Sequence, residues 1–209
     1  MRLEGIAKAR PAGIVLREKD LTREEYKRLA EKALAICQEH GTPCILHSYA
    51  GVAAELGCKA LHLPLRILRE LSEEERERFS VLGASCHSPE DAMEAEALGC
   101  TYVTAGHVFD TDCKNGLPGR GLGFLKEVCG SVSIPVYAIG GISPDNIADV
   151  RKSGAAGACV MSSAMVCVDV QAYFLALEEK WDEIGERQTV ALCGDRPQLD
   201  RAAEPVRAD

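Results

Sequence analysis

Aromatic residues are scarce in this 209-residue chain, at 5% with a single Trp, and no run of apolar residues is long. A membrane span needs about 20 consecutive apolar residues, so none is expected. Residues 1–12 carry charges throughout, where a secretory signal would place an apolar core, and a cytoplasmic location is therefore expected. Basic charge is short as well: 24 Lys and Arg face 32 Asp and Glu, a net charge of -8 with no basic block, which argues against nucleic acid as a partner. The ten cysteines form no C-x-x-C pair and fall mostly within apolar segments, so they read as reduced core thiols and not as disulfides or metal ligands.

What is present is rhythm. Hydrophobic residues make up 46% of the chain, enough for one sizeable core. Short apolar runs alternate with amphipathic, charge-rich segments, the pattern of βα units around a parallel sheet. Seven strands are expected, at Gly13 to Leu16, Cys44 to His47, Ala60 to Leu63, Val81 to Ser85, Tyr102 to Gly106, Pro135 to Ile139 and Ala158 to Met161. Thr22 with Glu25 makes a capping box for a helix running to about Glu39. Ser88-Pro89-Glu90-Asp91 opens another, Ser143-Pro144-Asp145 repeats that arrangement, and Asp169 to about Arg187 closes the domain. The fold class is a TIM (β/α)8 barrel lacking or truncating its first strand, because Arg2 to Arg10 reads as the end of a helix. Either the start is truncated or a partner covers the sheet edge. One domain spans 1–187, and 188–209 is a polar tail.

Chemistry collects at expected strand ends. Gly140-Gly141, and one βα unit later Ser162-Ser163, make a phosphate cup: glycines permit close backbone approach, and amides at helix starts donate to anions. Arg17 and Lys19 stand at the end of the first readable strand, on the catalytic rim, where they can hold a second anionic group. Gly106 to Lys114 continues a strand into a glycine-rich lid, carrying His107 as a candidate acid/base and Lys114 as a mobile cation. His47, also at a strand end, is a second acid/base candidate, and His62 could line the cup. His87 suits a loop-fixing role, and His40 suits a solvent-facing helix cap.

Leu16-Arg17-Glu18-Lys19-Asp20, Gly83 to Ser88, the Gly106 to Lys114 loop, Ile134-Pro135-Val136, Ala138 to Gly141 and Val160-Met161-Ser162 follow the order and spacing of the thiamin phosphate synthase/TenI superfamily, which the chain resembles from Gly13 to about Met165. The resemblance implies a thiamin-pathway enzyme with Ser85 among its substrate-binding residues. Synthases of this superfamily join a pyrimidine diphosphate to a thiazole phosphate with Mg2+, and carry Asn-Asp where this chain has His47-Ser48. They also carry H-L-G-Q-x-D where it has His62 to Ile67, and Pro where it has His107. Those departures point to the TenI branch. The expectation is a thiazole tautomerase in which His107, with His47 as the second candidate, moves protons on a thiazole phosphate, with no metal and no organic cofactor. A divergent synthase and a non-catalytic thiamin-pathway binding protein are the alternatives. The expected partners are the small-molecule thiazole phosphate and, at the oligomeric level, a homodimer.

Overall fold

The computed structural model describes residues 2–111 and 116–183. In chain order the elements are α1 (Arg2–Lys8), β1 (Ile14–Leu16), α2 (Arg23–His40), β2 (Cys44–His47), α3 (Ala50–Glu55), β3 (Ala60–Pro64), α4 (Leu65–Leu68), α5 (Glu73–Arg76), β4 (Val81–Cys86), α6 (Pro89–Ala97), β5 (Tyr102–Gly106), α7 (Gly121–Ser131), β6 (Val136–Ile139), α8 (Ile147–Lys152), β7 (Gly157–Cys159), α9 (Ser162–Val166) and α10 (Val170–Asp182). The strands form one parallel sheet in the order β1 to β7, and among the described residues no pairing joins β7 back to β1. This is the curled α/β barrel scaffold with seven of the eight strands in place. α1 packs on α2 and α10, and Arg2 ties it down by donating to the Ala164 and Cys167 carbonyls at 2.9 and 2.7 Å.

Alternation along each strand separates two apolar layers. Leu46, Leu61, Leu63, Leu82 and Val103 face the helices in the main core, while Ala60, Val81 and Tyr102 pack with Ile45 and Tyr137 on the other face. At about 1.5–3 kcal/mol for each large side chain fully buried, the helix-facing layer carries most of the fold.

Local signals set most boundaries. Thr22 and Glu25 form the reciprocal capping box of α2, which turns Tyr26, Ala30, Ala33 and Cys37 inward at helical spacing and ends at Gly41, in left-handed geometry at φ 66. Ser88 caps α6, with Pro89 in its first turn. Most strands shift from expectation by a residue at one end, β7 by more, at Gly157–Cys159 against Ala158 to Met161, and two capping signals act differently from expectation. Residues 143–146 form a turn, and α8 begins only at Ile147: Asn146 stands at its N-cap without a side-chain cap bond, and its side chain ties the turn together instead, Oδ1 accepting from the Ser143 N–H at 2.9 Å and the amide donating to the Gly141 carbonyl at 2.9 Å. His40 is the half-buried last residue of α2, not a cap on solvent; Gly41 takes the cap, and His40 Nε2 has no hydrogen-bond partner among the described residues. The expected tail at 188–209, and the helix end at Arg187, lie outside the described residues. The eight described cysteines are free thiols. No described helix is long and apolar enough to cross a membrane.

Candidate active site

One half of the barrel mouth is built from backbone. β6 runs into Gly140 and Gly141, both with positive φ, at 102 and 67. The loop after β5 crosses this turn and is stitched to it, with the Val108 N–H donating to the Ile139 carbonyl at 2.9 Å and the Phe109 N–H to the Gly140 carbonyl at 3.0 Å. A Cβ on Gly140 would run into His107, and one on Gly141 into Phe109 and the Asp110 carbonyl, so the crossing needs both glycines. Beside the crossing lies a cleft of about 610 Å³, lined by Asp110, Thr111, Gly116, Leu117, Pro118, Gly141, Ile142, Ser143, Ser162 and Ser163. Asp110 stiffens its wall by accepting from the Gly119 N–H at 2.6 Å. Tyr173, on α10, donates to Ser163 Oγ at 2.8 Å. A concave wall with serine hydroxyls, at the C-terminal ends of the last barrel strands, suits a phosphate group.

The other half is made of side chains. Arg17 and Lys19 stand exposed just beyond β1, and neither forms an ion pair with a described carboxylate. Tyr26 reaches from α2 to join the ends of two strands: its hydroxyl donates to the Leu16 carbonyl and accepts from the His47 N–H, each at 2.8 Å. The His47 ring stacks on His62 at 5.6 Å between centroids and shares a 2.6 Å hydrogen bond with Ser48 Oγ. Ser48 has φ 67, a costly region for a residue with a Cβ, and its N–H is anchored to the His62 carbonyl at 3.0 Å. His62 spends both ring nitrogens, on Tyr102 OH and Ser85 Oγ, each at 2.9 Å. Tyr102 reaches it by lying across Gly83, where any Cβ would overlap the phenol ring.

Burial first, and then the Arg17 and Lys19 cations, hold His47 down to about 4. Burial, His47 and Arg17 hold His62 down to about 3. Both rings are therefore uncharged near neutral pH, and Tyr102 is held above its usual range by burial. This arrangement offers a neutral hydrogen-bonding floor beneath two cations.

The expected site residues thus fall into groups. Gly141, Ser162 and Ser163 line the cleft, while Gly140 stands behind it and makes room for His107. Arg17 and Lys19 act on His47, and Ser85 joins the same group through His62. His107 is half-buried at the end of β5, and its Nε2 lies 3.2 Å from the Leu117 carbonyl, as a histidine fixing a loop would. His87 bonds the neighbouring Gly106 carbonyl through Nδ1 at 2.9 Å. Lys114 lies outside the described residues. Sequence reasoning missed Tyr26, Tyr102 and Ser143. Strand alternation held a signal for Tyr102, two residues before Thr104 on one face of β5, but none for Tyr26, which acts from a helix.

The Mg2+ that the resemblance implies for a synthase does not find a fitting donor set. Mg2+ takes hard oxygen ligands, chiefly carboxylates and phosphates. Ser48 and Ile67 occupy the two positions matched to aspartates, the Ser48 hydroxyl is engaged by His47, and no group of three or more His, Cys, Asp or Glu gathers among the described residues.

A parallel βα barrel with a hydroxyl-lined cleft and cations at the C-terminal ends of its strands has the architecture of the class of barrel enzymes whose sites lie at that face. Within that class, residues 1–164 match the thiamine monophosphate synthase family, and the chain belongs to it. It is 31% identical, over 189 residues, to the thiamine-phosphate synthase of Syntrophomonas wolfei subsp. wolfei, covering 86% of this chain and 88% of that one. With the thiamine-phosphate synthase of Thermus thermophilus it shares 32% identity over 170 residues, 80% of this chain and 81% of the relative. Among solved structures, a thiamine phosphate pyrophosphorylase from Pyrococcus furiosus superposes with a TM-score of 0.75 at 28% identity, over 88% of this chain and 90% of that one.

These relatives overturn the expected thiazole tautomerase, and with it the isomerase class. The expectation rested on His47-Ser48, on His62 to Ile67 and on His107. The first two alter the metal donors and leave the phosphate cleft intact, and His107 is tied to the Leu117 carbonyl. A few departures of that kind do not outweigh synthase likeness across most of the chain.

Proposed function

We propose that this enzyme is a thiamine-phosphate synthase, a transferase joining a hydroxymethylpyrimidine diphosphate to a thiazole phosphate. The observation that carries the reading is the 31% identity to a thiamine-phosphate synthase over 86% of the chain. The cleft beside Gly141 and Ser162 supports it, since a thiazole phosphate needs a seat of this kind.

In the reaction, the thiazole ring nitrogen forms a bond to the exocyclic methylene of the pyrimidine. The bond from that carbon to the diphosphate oxygen breaks, and the electron pair leaves with the diphosphate. Negative charge thus builds on the leaving group, where Arg17 and Lys19 stabilise it. Gly141, Ser143, Ser162 and Ser163 hold the thiazole phosphate and fix its ring against the methylene, which removes much of the entropy of bringing two substrates together. His47 and Ser85, held in place beside the fully bonded His62, orient the pyrimidine edge by hydrogen bonds without adding charge.

The test supplies both substrates to the purified protein and follows coupled product and diphosphate. Product is expected, with turnover falling by about 100-fold when Arg17 and Lys19 are both replaced by Gln. No product under any metal condition refutes the reading.

A further inference from the structure

We infer that this mouth neutralises the diphosphate with its own fixed cations, Arg17 and Lys19, and not with a divalent metal ion. The synthase reading enters only by naming the anion. The place where a metal would be bound presents Ser48, whose hydroxyl is held by His47 at 2.6 Å, above a floor of His62, Ser85 and Tyr102. That floor holds imidazole, hydroxyl and phenol groups and no carboxylate, so it lacks the negative charge that lets a protein compete with water for Mg2+.

The carboxylates nearby are arranged no better. Asp110, in the cleft wall, spends Oδ1 on the Gly119 N–H. Glu18 and Asp20 are exposed neighbours of Arg17 and Lys19 in sequence and belong to no cluster of potential ligands among the described residues. Meanwhile the two cations have no described carboxylate partner, and both act on His47. Unpaired positive charge repels a dication and attracts a diphosphate, so the same two residues disfavour the metal and replace it.

Two binding measurements on the full chain decide this without turnover. In the first, inorganic pyrophosphate is titrated calorimetrically in EDTA and again in excess Mg2+, with Mg2+–pyrophosphate complexation accounted for. Saturable binding in EDTA is expected, weakened about tenfold or more in the Arg17→Gln/Lys19→Gln variant and changed less than about threefold by Mg2+. In the second, Mn2+ alone is titrated and followed by electron paramagnetic resonance, and no stoichiometric site is expected.

Pyrophosphate binding that appears only with Mg2+, or tightens about tenfold with it, overturns the inference, as does a stoichiometric Mn2+ site or an unaffected double variant. The two readings fail separately. Pyrophosphate bound in EDTA without any product from the two substrates removes the synthase reading alone; product formed strictly on Mg2+ removes the metal inference alone.

Discussion

The two halves of the mouth are made of different material. Around β6 and β7 the walls are glycine turns and short hydroxyls, and the shape is held by main-chain hydrogen bonds such as Val108 N–H to Ile139 and Phe109 N–H to Gly140. From β2 across to β5 the floor is a chain of rings, in which Tyr26, His47, His62 and Tyr102 hold one another in place. A backbone-built site tolerates little change of conformation but is indifferent to pH. A floor of buried neutral imidazoles is the reverse, because its integrity depends on protons and on packing. The difference can be attacked from either side.

The largest effect is expected where packing and hydrogen bonding fail together. Gly83→Ala forces the Tyr102 ring off its seat and removes a partner from His62, so it should cost about 3 kcal/mol or more in urea unfolding. An unchanged midpoint would mean that the ring has another place to lie, and that the floor is looser than described. Acid should come next. His47 is held at about 4 when folded, against 6.5 for the free side chain, so between those values only the unfolded chain takes up its proton. Stability is then flat above pH 6.5 and falls as the pH is lowered toward 4, by about 3 kcal/mol from His47, with His62 continuing the loss below. His47→Asn should flatten the upper part of that fall. Wild-type and variant curves that run parallel from pH 7 to 4 would show that His47 is not the group responsible.

The same contrast separates what could be read in advance from what could not. The strands Cys44–His47 and Tyr102–Gly106 coincide with their apolar runs, and the Thr22–Glu25 box sits where its spacing placed it, because these are local patterns. The glycine and serine turns after β6 and β7 were equally legible, since a backbone site is written in a few adjacent residues. The ring floor was not. His47, His62, Gly83 and Tyr102 are consecutive partners across β2 to β5, a register that no short window contains, and Tyr26 enters from a different element altogether. The reaction was misread for a related reason. His47-Ser48 and His107 stand out in the sequence, but one belongs to the packed floor and the other bonds a loop carbonyl, so neither position alone decides the chemistry.

On the backbone side the expected losses are smaller and independent of acid. Gly141→Ala places a Cβ against Phe109 and the Asp110 carbonyl at φ 67, and a cost of about 2 kcal/mol is expected from the left-handed conformation and the displaced crossing. The loss should be the same at pH 7 and pH 5, which separates it from any effect on His47. If it grows in acid, the two halves are coupled and the contrast drawn between them fails.

The smallest change of stability should accompany a clear change of binding. Ser163 is half-buried on the cleft wall, and its hydroxyl accepts from the Tyr173 hydroxyl at 2.8 Å. Ser163→Ala removes that acceptor at a place where water can take over, so unfolding should shift by less than about 1 kcal/mol. A phosphate seated in the cleft has no such substitute, because a hydroxyl aimed by Tyr173 is oriented before the ligand arrives. Its loss should weaken binding of inorganic phosphate or thiazole phosphate by about tenfold, read by calorimetry beside the unfolding curve. Tyr173→Phe provides the finer cut: the hydroxyl of Ser163 remains but is no longer held, and binding should weaken by only about two- to threefold. Equal affinity in all three proteins would place the phosphate elsewhere in the mouth, and would leave the glycine turns as a structural crossing alone.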